Sequence, residues 1–139
     1  MITFHNQGSA FQPRKKSLLR KWINTVAAQE QCSAGNINYI FCNDEELLKI
    51  NIQYLHHKTL TDIITFDYSE NKTIAGDIFI SIERVTENAQ KYSTGFDDEL
   101  HRVLIHGVLH LCGYKDKTGP QEKIMRKKEN AALNLLNSL

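Results

Sequence analysis

Two histidines, a glycine and an aspartate near the C-terminal end of the chain have the types and spacing of a metal site. His106 and His110 are four residues apart, so on an α-helix both imidazoles project from the same face. Gly113 can end that helix in a left-handed conformation, after which the chain can reverse and bring Asp116 toward the histidines. Two imidazoles and one carboxylate form the ligand set of an open catalytic metal site with a position left for water. The sequence therefore predicts that His106, His110 and Asp116 are metal ligands and catalytic residues.

A similar spacing occurs in extended zincin motifs, with a glycine three residues after the second histidine and a ligand three residues later. Zincin proteases also carry a glutamate directly after the first histidine, where it acts as the general base. Here that position is Gly107, which has no side chain. The sequence therefore argues against a zincin peptidase mechanism and indicates that a strand or the substrate approaches the helix closely at Gly107.

The segment from His106 to Tyr114 reads His-Gly-x-Leu-His-Leu-x-Gly-Tyr and resembles the signature of the YbeY family of bacterial endoribonucleases. The segments Asn51-x-x-Tyr54, Thr61–Phe66 and Gly76–Ser81 are similar to the family's preceding segments, so the resemblance covers about residues 36–130. It implies a mixed α/β sheet with the metal-binding helix packed beside it. It also implies a zinc-dependent, single-strand-specific endoribonuclease that matures the 3′ end of 16S rRNA in the small ribosomal subunit and takes part in ribosome quality control.

The chain departs from this family at the third ligand. The family usually has histidine where this chain has Asp116, and commonly has aspartate where this chain has Lys115. A carboxylate oxygen binds zinc at about 2.0–2.2 Å, so Asp116 can still be a ligand. Because the carboxylate adds negative charge, we expect bound water to be acidified less than at a three-histidine site, and Mn²⁺ to be tolerated better. The predicted cofactor is one Zn²⁺ ion, with Mn²⁺ or another divalent metal as the alternative.

A second departure follows Tyr54. The family often carries an arginine there, implied to help catalysis or RNA contact, whereas this chain has Leu55 followed by His56, His57 and Lys58. One of these three residues could supply the absent positive charge and bind substrate. The alternative is a loop with incidental histidines.

The elements that must position these residues alternate between strands and helices. A short strand is expected at residues 2–5, a second at 37–41, and a hairpin of two strands at 62–68 and 74–82. Pro13 suits the first turn of a helix, and the pairs Asn43/Glu46 and Thr118/Gln121 indicate capped helix starts. Further helices are expected at about 82–92 and after Asp97. The sequence therefore predicts an α+β fold, with a mixed sheet of about four strands and about five helices packed on it.

Length and composition indicate that residues 1–139 form one globular domain. Cys32, Cys42 and Cys112 are odd in number and widely spaced, so neither a disulfide framework nor a thiolate zinc site is expected. The start of the chain lacks the pattern of a signal peptide, and no segment approaches the roughly 20 apolar residues that span a bilayer. We therefore expect a cytoplasmic protein without a membrane partner.

The formal net charge of +1 does not by itself indicate a nucleic-acid partner. Basic residues are nevertheless clustered in two places, which are either solvated surface or phosphate-binding surface. These clusters are Arg14, Lys15, Lys16, Arg20 and Lys21 in the first, and Lys123, Arg126 and Lys127 in the second.

The sequence also suggests roles for several other polar and sulfur-containing residues. Asp62 and Asp77 lie in predicted strands, where they could cap turns or bind backbone N–H groups, or could orient a ligand histidine. Cys112 is expected to be a small core side chain and Met125 a core residue rather than a methionine turn under the metal. His101 lies well round the helix from the ligand pair and is expected to be structural or exposed.

The predicted function is that of a metal-dependent hydrolase acting on RNA. The family resemblance implies an endoribonuclease acting on rRNA, with ribosomal small-subunit components as partners. The metal would acidify a water, polarise a phosphoryl oxygen, or both. The ribose 2′-OH is an alternative nucleophile, and the sequence identifies no general base. The rival interpretations are a ribosome-assembly binding protein whose metal is mainly structural and a zincin-like peptidase.

Overall fold

The computed structural model describes all 139 residues and contains four strands and five helices. The predicted α+β fold is therefore confirmed. In chain order, the elements are β1 (Ile2–Gln7), α1 (Lys16–Gln29), β2 (Ser33–Cys42), α2 (Asp44–Leu55), β3 (Ile63–Asp67), β4 (Thr73–Ser81), α3 (Ile82–Lys91), α4 (Phe96–Leu111) and α5 (Gly119–Ser138).

The four strands form one mixed sheet in the order β1-β2-β4-β3. β1, β2 and β4 are parallel, whereas β3 pairs antiparallel with β4, as the predicted hairpin requires. β3 is therefore an edge strand. The α4 helix, which carries both histidines, contacts both strands of this hairpin.

The main hydrophobic core lies between the sheet and helices α1, α4 and α5. The strand predicted at residues 37–41 lies within β2, where the alternate residues Ile37, Tyr39 and Phe41 are all fully buried. Two aromatic side chains also make polar contacts inside this core. The Tyr39 hydroxyl donates to the Leu104 carbonyl at 2.9 Å, and Trp22 Nε1 donates to the Ala132 carbonyl at 2.7 Å. These bonds satisfy buried polar groups and tie α4 and α5 to the rest of the core.

Close packing of α4 on the sheet explains the glycine after the first histidine. A Cβ atom on Gly107 would lie 3.0 Å from Ile78 Cδ1 and 3.3 Å from Ile63 Cδ1. The expected close approach is therefore made by strands β4 and β3. The absence of a side chain at Gly107 allows α4, which carries both histidines, to lie directly on the sheet.

The chain reverses direction after α4, as predicted from Gly113. Gly113 has a φ of +105°, a conformation that L-residues with side chains rarely adopt. The Tyr114 N–H donates to the Leu109 carbonyl and the Gly113 N–H donates to the His110 carbonyl, both at 3.0 Å. These two bonds form a Schellman motif, which satisfies carbonyls of the last turn while the chain turns back.

Both predicted capping pairs are present. The Asn43 side chain accepts from the Glu46 N–H at 2.8 Å at the start of α2. Thr118 and Gln121 form a capping box at the start of α5. On α5, Met125 is buried in the core, as predicted.

The first helix begins later than Pro13 suggested. α1 starts at Lys16, because Lys15 has a left-handed conformation with φ of 57° and interrupts any helix that would run through it from Pro13. Its apolar residues Leu19, Trp22, Ile23 and Val26 are buried in the core. No helix is both long enough and apolar enough to cross a membrane.

Substitution of Gly113 tests the turn that follows α4. We expect Gly113→Ala to lower the free energy of unfolding by about 1–2 kcal/mol, because alanine resists positive φ. Gly119→Ala is the matched control, since neither glycine has an atom within 4 Å of an added Cβ and only Gly113 has a positive φ. Urea unfolding monitored by circular dichroism measures the free energy of unfolding of both variants. Equal effects of the two substitutions would contradict a role for the backbone conformation at Gly113.

Candidate metal centre

The three predicted ligand atoms lie within hydrogen-bonding distance of one another. His106 Nε2 is 2.9 Å from His110 Nε2 and 3.1 Å from Asp116 Oδ2, and His110 Nε2 is 3.2 Å from Asp116 Oδ2. Atoms bound about 2.0–2.2 Å from one zinc ion at tetrahedral angles lie roughly 3.3–3.5 Å apart. The observed triangle is close to this size, so His106, His110 and Asp116 form a candidate metal-binding group.

The hydrogen bonds of the two imidazoles fix which nitrogen faces this group. His106 Nδ1 is 2.6 Å from Glu129 Oε2, and His110 Nδ1 is 2.8 Å from the Tyr114 carbonyl oxygen. Both partners are acceptors, so each neutral ring carries its proton on Nδ1 and presents a lone pair at Nε2. Two nitrogen lone pairs and a carboxylate oxygen then converge on one point. Three electron-pair donors at these distances repel one another unless a proton or a metal cation lies between them, and the donor set fits a divalent metal.

Glu129 holds the first histidine from the neighbouring helix α5. Its side chain is 6% exposed, and its other oxygen, Oε1, accepts from Arg102 Nη1 at 2.9 Å. Arg102 Nη2 also donates to Asn130 Oδ1 at 2.9 Å, so the guanidinium group is bound at both ends. This chain of contacts gives His106 a fixed ring orientation.

The turn after α4 holds the second histidine. The Tyr114 carbonyl accepts from His110 Nδ1, and the Tyr114 hydroxyl donates to Glu30 Oε1 at 2.5 Å. Lys128 Nζ binds Glu30 Oε2 at 3.0 Å and lies over the Tyr114 ring. The turn that carries Asp116 is thereby tied to the end of α1 and to α5.

The carboxylates around His106 set its protonation. Burial alone would lower the pKa of His106, but the hydrogen bond and charge of Glu129, with the charges of Asp116 and Asp62, outweigh it and raise that pKa. Burial opposes ionisation of Glu129 too, yet its bonds to His106 and Arg102 lower its pKa below the ordinary value. Burial also raises the pKa of Asp62. The centre is thus rich in negative charge, which favours a bound cation.

The ligand residues line an open cleft with a volume of about 1130 Å³. Further lining residues come from the end of α2 and the segment after it, from edge strand β3, and from the end of α3. Of the substrate-binding candidates, His57 lines the cleft, whereas His56 and Lys58 do not. His56 instead ends α2 in a left-handed conformation with φ of 57°.

Of the other polar residues considered in the sequence, Asp62 lies at the site, whereas Asp77 and His101 make contacts elsewhere in the fold. Asp62 lines the cleft near His106, whereas the Asp77 carboxylate accepts from Asn38 Nδ2 at 3.0 Å and from the Tyr68 hydroxyl at 3.4 Å. Asp77 therefore neither orients a ligand nor caps a turn. His101 packs edge-on against Trp22, with ring centroids 6.0 Å apart, which is the expected structural role.

Neither Glu129 nor Arg102 was predicted from the sequence, although the sequence contained a signal for Glu129. Glu129 lies four residues after Met125 and three before Ala132, on the buried face of α5. A glutamate within an apolar stripe needs a buried partner, and here that partner is His106. Arg102 carries no comparable signal, since it is one of several half-exposed polar residues of α4.

Removing the carboxylate that orients His106 should weaken zinc binding. We expect Glu129→Ala to lower zinc affinity about 10–100-fold, because His106 loses the group that fixes its orientation. Glu129→Gln retains one acceptor oxygen, so its loss of zinc affinity should be smaller. Competition with a chromogenic chelator measures the affinity, and Glu122→Gln, an exposed change on the same helix, is the control. An unchanged affinity in Glu129→Ala would show that His106 is held by other contacts.

Because the pKa of His106 is raised, we expect zinc affinity and metal-free stability to respond to pH in opposite directions. Below about pH 6.5, the ordinary pKa, the protonated imidazole contributes its full stabilisation to the metal-free protein. That stabilisation is lost as pH rises through the raised pKa of His106. Zinc must displace the proton, so its affinity rises over the same window.

Zinc titrations and thermal unfolding of the metal-free protein across this pH range check both directions. Glu129→Gln should shift the window to lower pH, because the pKa of His106 falls when the carboxylate is removed. Parallel rather than opposite trends of affinity and stability would contradict this account of the site.

Comparison with known proteins finds the same family that the motifs resemble. A family model described as "Endoribonuclease YbeY" matches residues 1–137. A protein of that name from Flavobacterium psychrophilum is 53% identical over 137 residues, covering 99% of this chain and 97% of the relative. The Cytophaga hutchinsonii protein is 53% identical over 135 residues, covering 96% and 94%, and the Bacteroides thetaiotaomicron protein is 46% identical over 132 residues, covering 95% and 96%.

The fold also has a counterpart among solved structures. The solution structure of a Thermotoga maritima protein covers 98% of this chain with a TM-score of 0.69 and 26% sequence identity, and the match covers 89% of that protein. The resemblance seen in the motifs is therefore confirmed over nearly the full length, and the chain belongs to the endoribonuclease YbeY family.

Proposed function

We propose that this protein is a zinc-dependent endoribonuclease that cleaves single-stranded RNA and, in the cytoplasm, matures the 3′ end of small-subunit rRNA. The observation that carries this proposal is the convergence of His106 Nε2, His110 Nε2 and Asp116 Oδ2 on one point in an open cleft. The names of the relatives support cleavage of RNA as the reaction.

In this proposal His106, His110 and Asp116 hold the metal and are the catalytic residues. When bound, a divalent ion supplies Lewis-acid polarisation of the phosphodiester and acidifies a water molecule. Glu129 keeps the lone pair of His106 directed into the site, and the Tyr114 carbonyl does the same for His110. The protein thus contributes a ligand set that is ordered in advance, which removes the cost of arranging it during the reaction.

The donor set supports zinc as the metal. Two imidazoles and one carboxylate occur at catalytic zinc sites, and they leave one position open. Imidazole ligands suit zinc better than they suit Mg²⁺ or Ca²⁺, which prefer oxygen. Because one ligand is a carboxylate, Mn²⁺ is the second candidate.

His57 is the best candidate for a substrate contact in the segment that follows Leu55. It lines the cleft, whereas His56 and Lys58 are exposed outside it. We therefore narrow the replacement for the family's arginine to His57. We place the source of sequence specificity in a partner on the small ribosomal subunit, as the family resemblance implies, because contacts to the phosphate backbone do not read sequence.

The two rival functions are less well supported by the same geometry. A structural zinc site normally has four protein ligands, whereas three residues converge here on the side of a cleft. A zincin peptidase needs a glutamate at position 107. There, Ile78 and Ile63 already lie within 3.0–3.3 Å of the place that a Cβ atom would occupy.

Replacing one ligand tests the proposed function. We expect His110→Ala to lose bound zinc and to cleave single-stranded RNA more than about 100-fold more slowly, since removing a group that only orients a ligand already costs about 10–100-fold. Metal analysis and cleavage of a labelled single-stranded RNA measure the two effects. Casein is assayed in parallel as a peptidase substrate.

His101→Ala is the matched control, because His101 lies on the same helix and packs against Trp22 rather than against the ligands. It should retain zinc and activity. RNA cleavage that persists in zinc-free His110→Ala would overturn the metal-dependent mechanism, and cleavage of casein alone would overturn the choice of substrate.

A further inference from the structure

Three cations of the cleft are free of strong ion pairs. Lys115 and Lys117 are exposed, flank Asp116 in the turn after α4, and form no ion pair. Arg126 on α5 is 62% exposed and has a single carboxylate contact, 3.8 Å from Glu129. Arg102 also lines the cleft, but its guanidinium is occupied by Glu129 and Asn130. The donors of the first three residues are therefore available to a ligand.

These cations come from one part of the lining. Lys115, Lys117 and Arg126 belong to the turn and to α5, whereas the lining residues between 51 and 67 include no lysine or arginine. That second part contributes the carboxylates of Asp62 and Asp67 instead. The cleft carboxylates of the turn and α5, Asp116 and Glu129, already face His106 and Arg102, so the free charges there are positive. A negatively charged polymer in the cleft is thus attracted toward the turn and α5, while His57 remains the candidate contact in the other part of the lining.

Of the C-terminal basic cluster seen in the sequence, only Arg126 lines the cleft. Lys123 and Lys127 are exposed on the same helix, but neither lines the cleft. Of the N-terminal cluster, Arg20 is engaged with the Ile2 carbonyl and the Phe4 ring, and none of its members lines the cleft. The cleft cations are therefore a distinct set, beside the metal centre.

We propose that Lys115, Lys117 and Arg126 bind successive phosphates of the single-stranded RNA substrate, so that its backbone follows the turn and α5. The uncharged lining residues Leu55 and Tyr92 are then left for the bases, and stacking on Tyr92 tolerates any sequence. Phosphate contacts fix the register of the strand without reading bases. This inference rests on the proposed function, because it takes RNA to be the substrate.

Two double variants that each remove two positive charges test the phosphate contacts. Lys117→Gln/Arg126→Gln alters the cleft set, and Lys123→Gln/Lys127→Gln alters the same helix outside the cleft. Both are loaded with zinc, and kcat/KM for a labelled single-stranded RNA is measured as a function of salt. Each phosphate contact contributes a slope of about −0.7 to the dependence of log affinity on log salt for single strands.

We expect the cleft variant to lower kcat/KM at low salt, mainly through KM. Between about 50 and 200 mM salt it should lose roughly sevenfold less activity than the wild type, because two contacts are already gone. The control variant should keep the wild-type slope. Equal slopes for both variants, with RNA cleavage intact, would overturn the phosphate assignment and leave the proposed function standing.

If the zinc-loaded wild type cleaves no RNA, the proposed function fails, and the contacts are then tested by fluorescence anisotropy with the same RNA. A smaller salt slope of binding in the cleft variant alone would still support the phosphate contacts. Absence of binding, or the same slope in both variants, would overturn them.

Discussion

Mutual repulsion of three electron-pair donors is the constraint on which the site depends. Both Nε2 atoms and one carboxylate oxygen point at a common centre, with 2.9–3.2 Å between them. Without a positive charge between them, this arrangement is electrostatically unfavourable, and the buried carboxylate of Glu129 adds further negative charge nearby. The protein therefore has to hold the donors in place by contacts made elsewhere. His106 and His110 are accordingly each fixed through Nδ1, which does not face the centre.

These contacts come from three directions. His106 is held from α5 through Glu129, and His110 is held from the turn through the Tyr114 carbonyl. The sheet supports the helix from below, because Gly107 lets the backbone of α4 lie against Ile78. A change at Glu129 reaches the site through His106, and a change in the turn reaches it through His110. The surrounding fold thus orients the two histidines through separate short contacts, while the sheet supports the helix that carries both of them.

Local spacing explains why the ligands could be predicted and their supports could not. His106, His110, Gly113 and Asp116 lie within eleven residues, so helix periodicity and one glycine conformation suffice to bring them together. Glu129 lies 23 residues from His106, and the residues joined in the Tyr114–Glu30 bond are separated by 84. Such contacts depend on how α1, α4 and α5 pack, which local periodicity does not specify. Pro13 predicted too early a start for α1, because the left-handed conformation of Lys15 decides where that helix starts and the sequence gives no signal for it.

The chain contains one tryptophan, and its hydrogen bond gives that residue a use beyond packing. The indole of Trp22 is fully buried and donates to the backbone of Ala132, three residues beyond Glu129 on α5. Its emission therefore reports whether α5 is seated on the core at the level of the residue that orients His106. Fluorescence of the unlabelled protein can thus follow the docking of this helix in real time, with no probe attached near the metal.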